Sequence, residues 1–125
     1  SRRHAGEWEA MNNGQEMEIQ VENRDDSVVV TPMGEVDLAR SPSLRSRLKQ
    51  VLGESPNRLV VDLSQVPYMD SSGVATLVEA LQQCRAHDCS LFLAGLQDRV
   101  RSVFEIARLD TVFTITADAN SALDA

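Results

Sequence analysis

The sequence predicts an α/β domain, a mixed sheet of about four to five strands with helices packed on it. Three observations point there. Two adjacent runs of strand character are joined by a tight polar connection, Leu59-Val60-Val61-Asp62-Leu63 is almost continuously apolar, and apolar residues recur at helical spacing in the stretches between strands. A chain of 125 residues is one domain's worth and too short for two ordinary cores.

Each element has its own signal. Ile19 and Val21 alternate with Glu18, Gln20 and Glu22, the period of a half-buried strand. Arg24-Asp25-Asp26-Ser27 supplies a turn, and Val28 to Met33 a second β-branched run, so the pair reads as a hairpin. Ser41-Pro42 starts the first helix, with serine expected as its cap and proline in its first turn. Leu44, Leu48, Val51 and Leu52 follow at helical spacing until Gly53 and Pro56 stop it. The apolar run at 59–63 is the central strand, covered on both faces. Val74, Leu77, Val78, Leu81 and Cys84 then form one stripe of a second helix, with Thr76, Glu79, Gln82 and Arg85 off it. Ser90 to Gly95 is a strand, Val100, Val103, Phe104 and Ala107 mark a third helix, Val112 to Thr116 is a last strand, and Asn120 to Leu123 a short helix. Residues 1–16 read as an N-terminal tail or extension in which Trp8 is expected to dock on the domain or on a neighbouring copy, and residues 17–125 as the domain.

Composition excludes several classes. Twelve Lys and Arg against 19 Asp and Glu leave a net charge of −7, so nucleic acid and anionic membranes are poor partners. No apolar run approaches the ~18 residues of a membrane span, and no apolar block follows the basic N-terminus, so a cytoplasmic location is expected. Cys84 and Cys89 are too few for a disulfide framework. With His87 they gather three metal-ligand types in six residues, but Cys84 lies on the apolar stripe and a fourth ligand is lacking, so no metal is assigned. No phosphate-cradling glycine loop is present, and no cofactor is expected.

Local structure does not fully explain Tyr68-Met69-Asp70-Ser71-Ser72-Gly73, which links the central strand to the second helix. The first turn of a helix leaves N–H groups unpaired and favours negative charge, so this segment suits a phosphoacceptor serine. The plainer reading is that Asp70, Ser71 and Ser72 only cap the helix. A serine hydrolase is excluded, because His87 lies sixteen residues along the helix from Ser71, ~24 Å away, and no nucleophile elbow occurs. At about 100° per residue Ser72 falls almost opposite the Val74, Leu77, Val78, Leu81 stripe and Ser71 on its flank. The wheel therefore favours Ser72, unless Ser71 is itself a capping residue outside helical geometry. Met69 and Tyr68 read as packing residues, and Arg99, Arg101 and Arg108 as a solvated face of the third helix.

Gly34-Glu35-Val36-Asp37, Leu59-Val60-Val61-Asp62-Leu63-Ser64 and above all Met69-Asp70-Ser71-Ser72-Gly73-Val74 resemble the STAS domain family of bacterial anti-sigma factor antagonists, over about residues 18 to 124. Val36 replaces the leucine common in that family. The resemblance implies a STAS-type sheet and a protein-binding module in signalling and transcription regulation, not an enzyme. It implies a cytoplasmic phosphoprotein that binds an anti-sigma factor with serine kinase activity when unphosphorylated and leaves it on phosphorylation at Ser71, a phosphatase reversing the step. Ser72 is the second choice of acceptor. Glu35, Asp37, Asp70, Ser71, Ser72 and Gly73 are the implied partner-binding residues, Asp37 being the chief charged contact in a loop without evident helical or strand duty. Two alternatives stand beside this reading: the same fold as a non-phosphorylated adaptor subunit of a lipid-transporting ABC complex or stress-signalling assembly, and, from another class, a small-ligand or catalytic α/β domain using the helix N-terminus as an anion site.

Overall fold

The computed structural model describes residues 16–125, so the expectation for Trp8 lies outside the described residues. In chain order the elements are β1 (Glu18–Arg24), β2 (Ser27–Met33), α1 (Ser41–Leu52), β3 (Arg58–Asp62), α2 (Ser71–Ala86), β4 (Ser90–Ala94), α3 (Asp98–Ile106), β5 (Thr114–Thr116) and α4 (Ala119–Leu123). The five strands form one sheet in the order β1-β2-β3-β4-β5. β1 is antiparallel to β2, and the remaining pairs are parallel, each reached by a helical crossover. Asp25, with φ of 56°, makes the hairpin turn that brings Arg24 opposite Ser27, a conformation that aspartate tolerates.

Successive strand residues point to opposite faces, and each face has its own core. Val28, Val30, Leu59, Val61, Leu91 and Leu93 pack against Leu44, Leu48 and Val51 of α1, Leu77, Leu81 and Cys84 of α2, and Val100 and Phe104 of α3. Val29, Val60 and Ala94 meet Ala122 of α4, with Phe92 and Leu123 beside them. β3 is therefore covered on both sides, with Leu59, Val60 and Val61 fully buried. At the edge the alternation weakens: Ile19 joins the core, while Val21 is exposed and Glu18, Glu22 and Arg24 charge the open strand, which discourages pairing with other chains.

Two local expectations are corrected, the Ser41 cap and the α2 stripe, while Gly53 ends α1 as expected. Ser41 does not cap α1; Arg40 holds that position without a side-chain bond, and Ser41 is buried in the first turn. The free N–H groups go to Asp37 instead, whose backbone oxygen accepts from Ser41 at 2.8 Å and whose Oδ1 accepts from Arg40 at 3.0 Å. Gly53 ends α1 with right-handed dihedrals, and the left-handed residue of the turn is Ser55, φ 55°. On α2 the buried stripe comprises Gly73, Val74, Thr76, Leu77, Ala80, Leu81 and Cys84, so it is turned toward α1 and leaves Val78 only partly covered. Thr76 and Ala80 line a crevice with Arg45, Leu48 and Lys49 of α1. The Thr76 hydroxyl is satisfied there by donating to the Ser72 carbonyl at 2.9 Å.

Candidate functional site

Two loops at the C-terminal ends of β2 and β3 are stitched side by side, and α2 rises from the second. Gly34 begins the first at φ +107°, a region that favours glycine, and its N–H donates to the Gln65 carbonyl at 2.9 Å. Val36 and Met69 then form an isolated parallel bridge, with Val36 N–H donating to Tyr68 at 3.0 Å and Asp70 N–H to Val36 at 3.2 Å. Val36 and Met69 both turn inward and are buried. Alternation consequently sends Glu35, Asp37, Tyr68 and Asp70 outward along one surface. Tyr68 is thus a surface residue, with the Arg99 guanidinium 5.8 Å from its ring centroid, rather than the packing residue expected. Arg99 is exposed, as expected of a solvated face, and adds that contact to it.

Asp70 is the N-cap of α2, extended at φ −99° and ψ −173°. Its Oδ1 accepts from the Ser72 N–H at 2.9 Å, the Gly73 N–H at 3.4 Å and the Ser72 hydroxyl, and its Oδ2 accepts from the Leu38 N–H at 3.1 Å. The Ser72 hydroxyl foremost holds the Asp70 carboxyl below its ordinary value; burial opposes it, and the backbone N–H donors of Ser72, Gly73 and Leu38 add to the lowering. The carboxylate stays ionised and fully engaged. Across from it, Asp37 Oδ2 pairs with Arg40 at 3.2 Å, so Asp37 has the structural duty that its loop position concealed.

Ser71 occupies the first helical position rather than the cap and is exposed. Its hydroxyl makes no hydrogen bond among the described residues, whereas Ser72 is half-buried with its hydroxyl on Asp70. On the buried arc that the structure gives, at about 100° per residue, Ser71 stands closer to the outward direction than Ser72, the reverse of what the apolar stripe alone indicates. Gly73 is buried. A Cβ there would lie 2.5 Å from Met69 Cγ and 2.9 Å from Val36 Cγ1, so the glycine lets α2 descend onto the bridge beneath the surface. Glu35, Asp37, Asp70, Ser71 and Ser72 surround this surface; Gly73 lies under it.

These residues make up a platform at the C-terminal ends of β2 and β3. A cleft of about 500 Å³ opens at the opposite end of the sheet, lined by Arg24, Asp25, Asp26, Asn57 and Arg58 among others. Among the described residues no group of three or more His, Cys, Asp or Glu side chains is placed to hold a metal. Cys84 and Cys89 are buried free thiols, burial foremost pushing Cys84 up to about 12, and His87 is an exposed C-cap. No helix among the described residues is long and apolar enough to cross a membrane.

A sheet of this topology with an Asp-Ser-Ser-Gly cap on α2 defines a STAS domain, and the STAS domain family model matches residues 18–122. The chain belongs to that family. It is 33% identical over 98 residues to the anti-sigma-B factor antagonist of Listeria monocytogenes, covering 78% of this chain and 86% of that one. The anti-sigma-B factor antagonist of Staphylococcus aureus is 30% identical over 93 residues, 74% of this chain and 86% of the relative. The crystal structure of an anti-sigma factor antagonist from Mycobacterium paratuberculosis superimposes with a TM-score of 0.81 at 25% identity, covering 88% of this chain and 93% of the other. Such relatives are regulatory binding proteins rather than enzymes.

Proposed function

We propose that this chain is an anti-sigma factor antagonist switched by phosphorylation of Ser71. The observation that carries the reading is the division of labour between two adjacent serines: the Ser72 hydroxyl is spent on Asp70, while Ser71 is exposed with its hydroxyl available. Unphosphorylated, the platform binds an anti-sigma factor that is also a serine kinase. In the transfer, Ser71 Oγ bonds to the γ-phosphorus of ATP held by that partner, the bond to the β-phosphate oxygen breaks, ADP leaves, and the hydroxyl proton passes to a base of the kinase. Asp70 does not serve as that base in this reading, because its two oxygens already accept from four donors that lower its basicity.

The product adds about −1.5 to −2 charge beside Asp70 and Asp37 on an acidic chain. A partner that seated an uncharged hydroxyl then meets repulsion and bulk, and each ~1.4 kcal/mol of mismatch weakens binding tenfold. A phosphatase acting on the phosphoserine restores the binding form, and the pair of reactions operates in the cytoplasm, where the sigma factor works. The test is intact mass after incubation with the cognate kinase and ATP. One added phosphate is expected on the wild type and on Ser72→Ala, and none on Ser71→Ala. Uptake by Ser71→Ala equal to wild type overturns the site, and no uptake by the wild type favours a non-phosphorylated adaptor.

A further inference from the structure

The phosphoacceptor explains how binding is lost but not what supplies it. Leu38 is 76% exposed, and its backbone is fixed beside the acceptor by the bond from its N–H to Asp70 Oδ2 at 3.1 Å. Tyr68, two residues before Asp70 on the outward face of the same bridge, is 37% exposed. Arg99, at the start of α3, reaches over that ring at 5.8 Å. Arg40 and Arg45 are paired with Asp37 and Glu79, but Arg99 meets no carboxylate within salt-bridge distance among the described residues. Tyrosine and arginine are the residue types that most often dominate binding energy at an interface, and a stacked guanidinium is held in place at little further entropic cost. Single exposed apolar residues are ordinary on a protein surface; two of them on one hydrogen-bonded frame, with a cation attached that meets no carboxylate among the described residues, form a surface able to bind.

We infer that Leu38, Tyr68 and Arg99 form the contact surface of the partner, which must present an apolar face with a carboxylate placed to meet Arg99. The inference rests on the antagonist reading above and specifies the chemistry that the kinase brings to the Ser71 platform. A neutral Ser71, next in sequence to the Asp70 carboxylate that holds the Leu38 backbone, is cheap to desolvate. A phosphoserine dianion there is not, so the apolar contact and the switch act on the same patch of water. The single cation also makes the contact directional, since a partner with a basic group opposite Arg99 is rejected.

Titration calorimetry of the unphosphorylated chain against its purified anti-sigma factor kinase tests this. Leu38→Ser and Arg99→Glu are each expected to weaken binding more than about tenfold, with the melting temperature unchanged because both side chains are exposed. Leu38→Met should bind as the wild type does. Ile106→Ser, which removes an equally exposed apolar side chain from the far end of α3, should also leave affinity unchanged. Wild-type binding with Leu38→Ser and Arg99→Glu both within about twofold of it overturns the surface while sparing the antagonist reading. A loss in Ile106→Ser as large as in Leu38→Ser overturns it too, and failure of the wild type to bind removes both readings together.

Discussion

Asp70 and Leu38, 32 positions apart in sequence, are joined by a 3.1 Å hydrogen bond from the Leu38 N–H to Asp70 Oδ2. The other oxygen of the same carboxylate caps α2. One side chain therefore fixes both the helix that carries Ser71 and the loop that carries Asp37 and Leu38. Any change in its ionisation or its donors reaches the whole platform.

Loss of that carboxylate is expected to destabilise the fold in a pH-dependent way. Asp70→Ala removes an N-cap, which costs about 0.5–2 kcal/mol. Because the folded-state value lies below the ordinary 3.8, the ionised form stabilises the fold. That contribution is complete above the unfolded value and fades as pH falls through the folded one. Urea melts of wild type and Asp70→Asn should differ at pH 7 and converge as the pH falls below the ordinary 3.8 and through the lower folded-state value.

Asp37 carries a structural cost as well as a binding one. Its Oδ1 accepts the Arg40 N–H and its Oδ2 pairs with Arg40 at the entry of α1. Asp37→Lys is therefore expected to lose about 1 kcal/mol of stability, in contrast to the unchanged melting temperature that an idle loop residue would give. Asp37→Ser, which retains an acceptor oxygen, should recover most of it. Thermal melts of the two variants check this.

The two serines should separate in stability before any kinase is added. Ser71→Ala removes an exposed hydroxyl without a partner among the described residues and should fall within about 0.5 kcal/mol of wild type. Ser72→Ala removes the donor to Asp70 and should cost about 1.5–3 kcal/mol, the range of hydrogen bonds to charged groups. Equal urea midpoints for the two variants would contradict the arrangement.

Gly73→Ala should destabilise despite alanine's helix preference. The added methyl group meets Met69 Cγ at 2.5 Å and Val36 Cγ1 at 2.9 Å. Overpacking of this kind costs about 1–3 kcal/mol, against roughly 1 kcal/mol recovered in propensity. Because Met69 is the closer neighbour, Met69→Ala in the same chain should cost less than the sum of the single changes, a coupling that a double-mutant cycle measures.

Residue type and spacing suffice for the elements and their order. Strand alternation in β2, the apolar run of β3 and the stripes of α1 and α3 depend on residue type and spacing, which a linear pattern records. It also placed Asp70, Ser71 and Ser72 at the start of α2, because an acidic and hydroxyl cluster before an apolar period marks a helix start wherever it occurs. Which way those groups point depends on the assembled fold. The apolar residues of α2 locate one edge of its buried arc, but Gly73, Thr76 and Ala80 are buried because of what faces them, Met69 and Val36 beneath and α1 alongside. Hydropathy carries no such information for small or hydroxyl residues. Asp37 reads as idle and Ser41 as a cap because hydropathy does not say which polar residue near a helix start turns back on it: the Arg40 and Ser41 N–H groups close a turn on the Asp37 carbonyl, and the bridge between residues 36 and 69 sets that turn beside Asp70. A contact across that separation exists only once two strands have been laid side by side, and the relation between Leu38 and Asp70 is of the same kind.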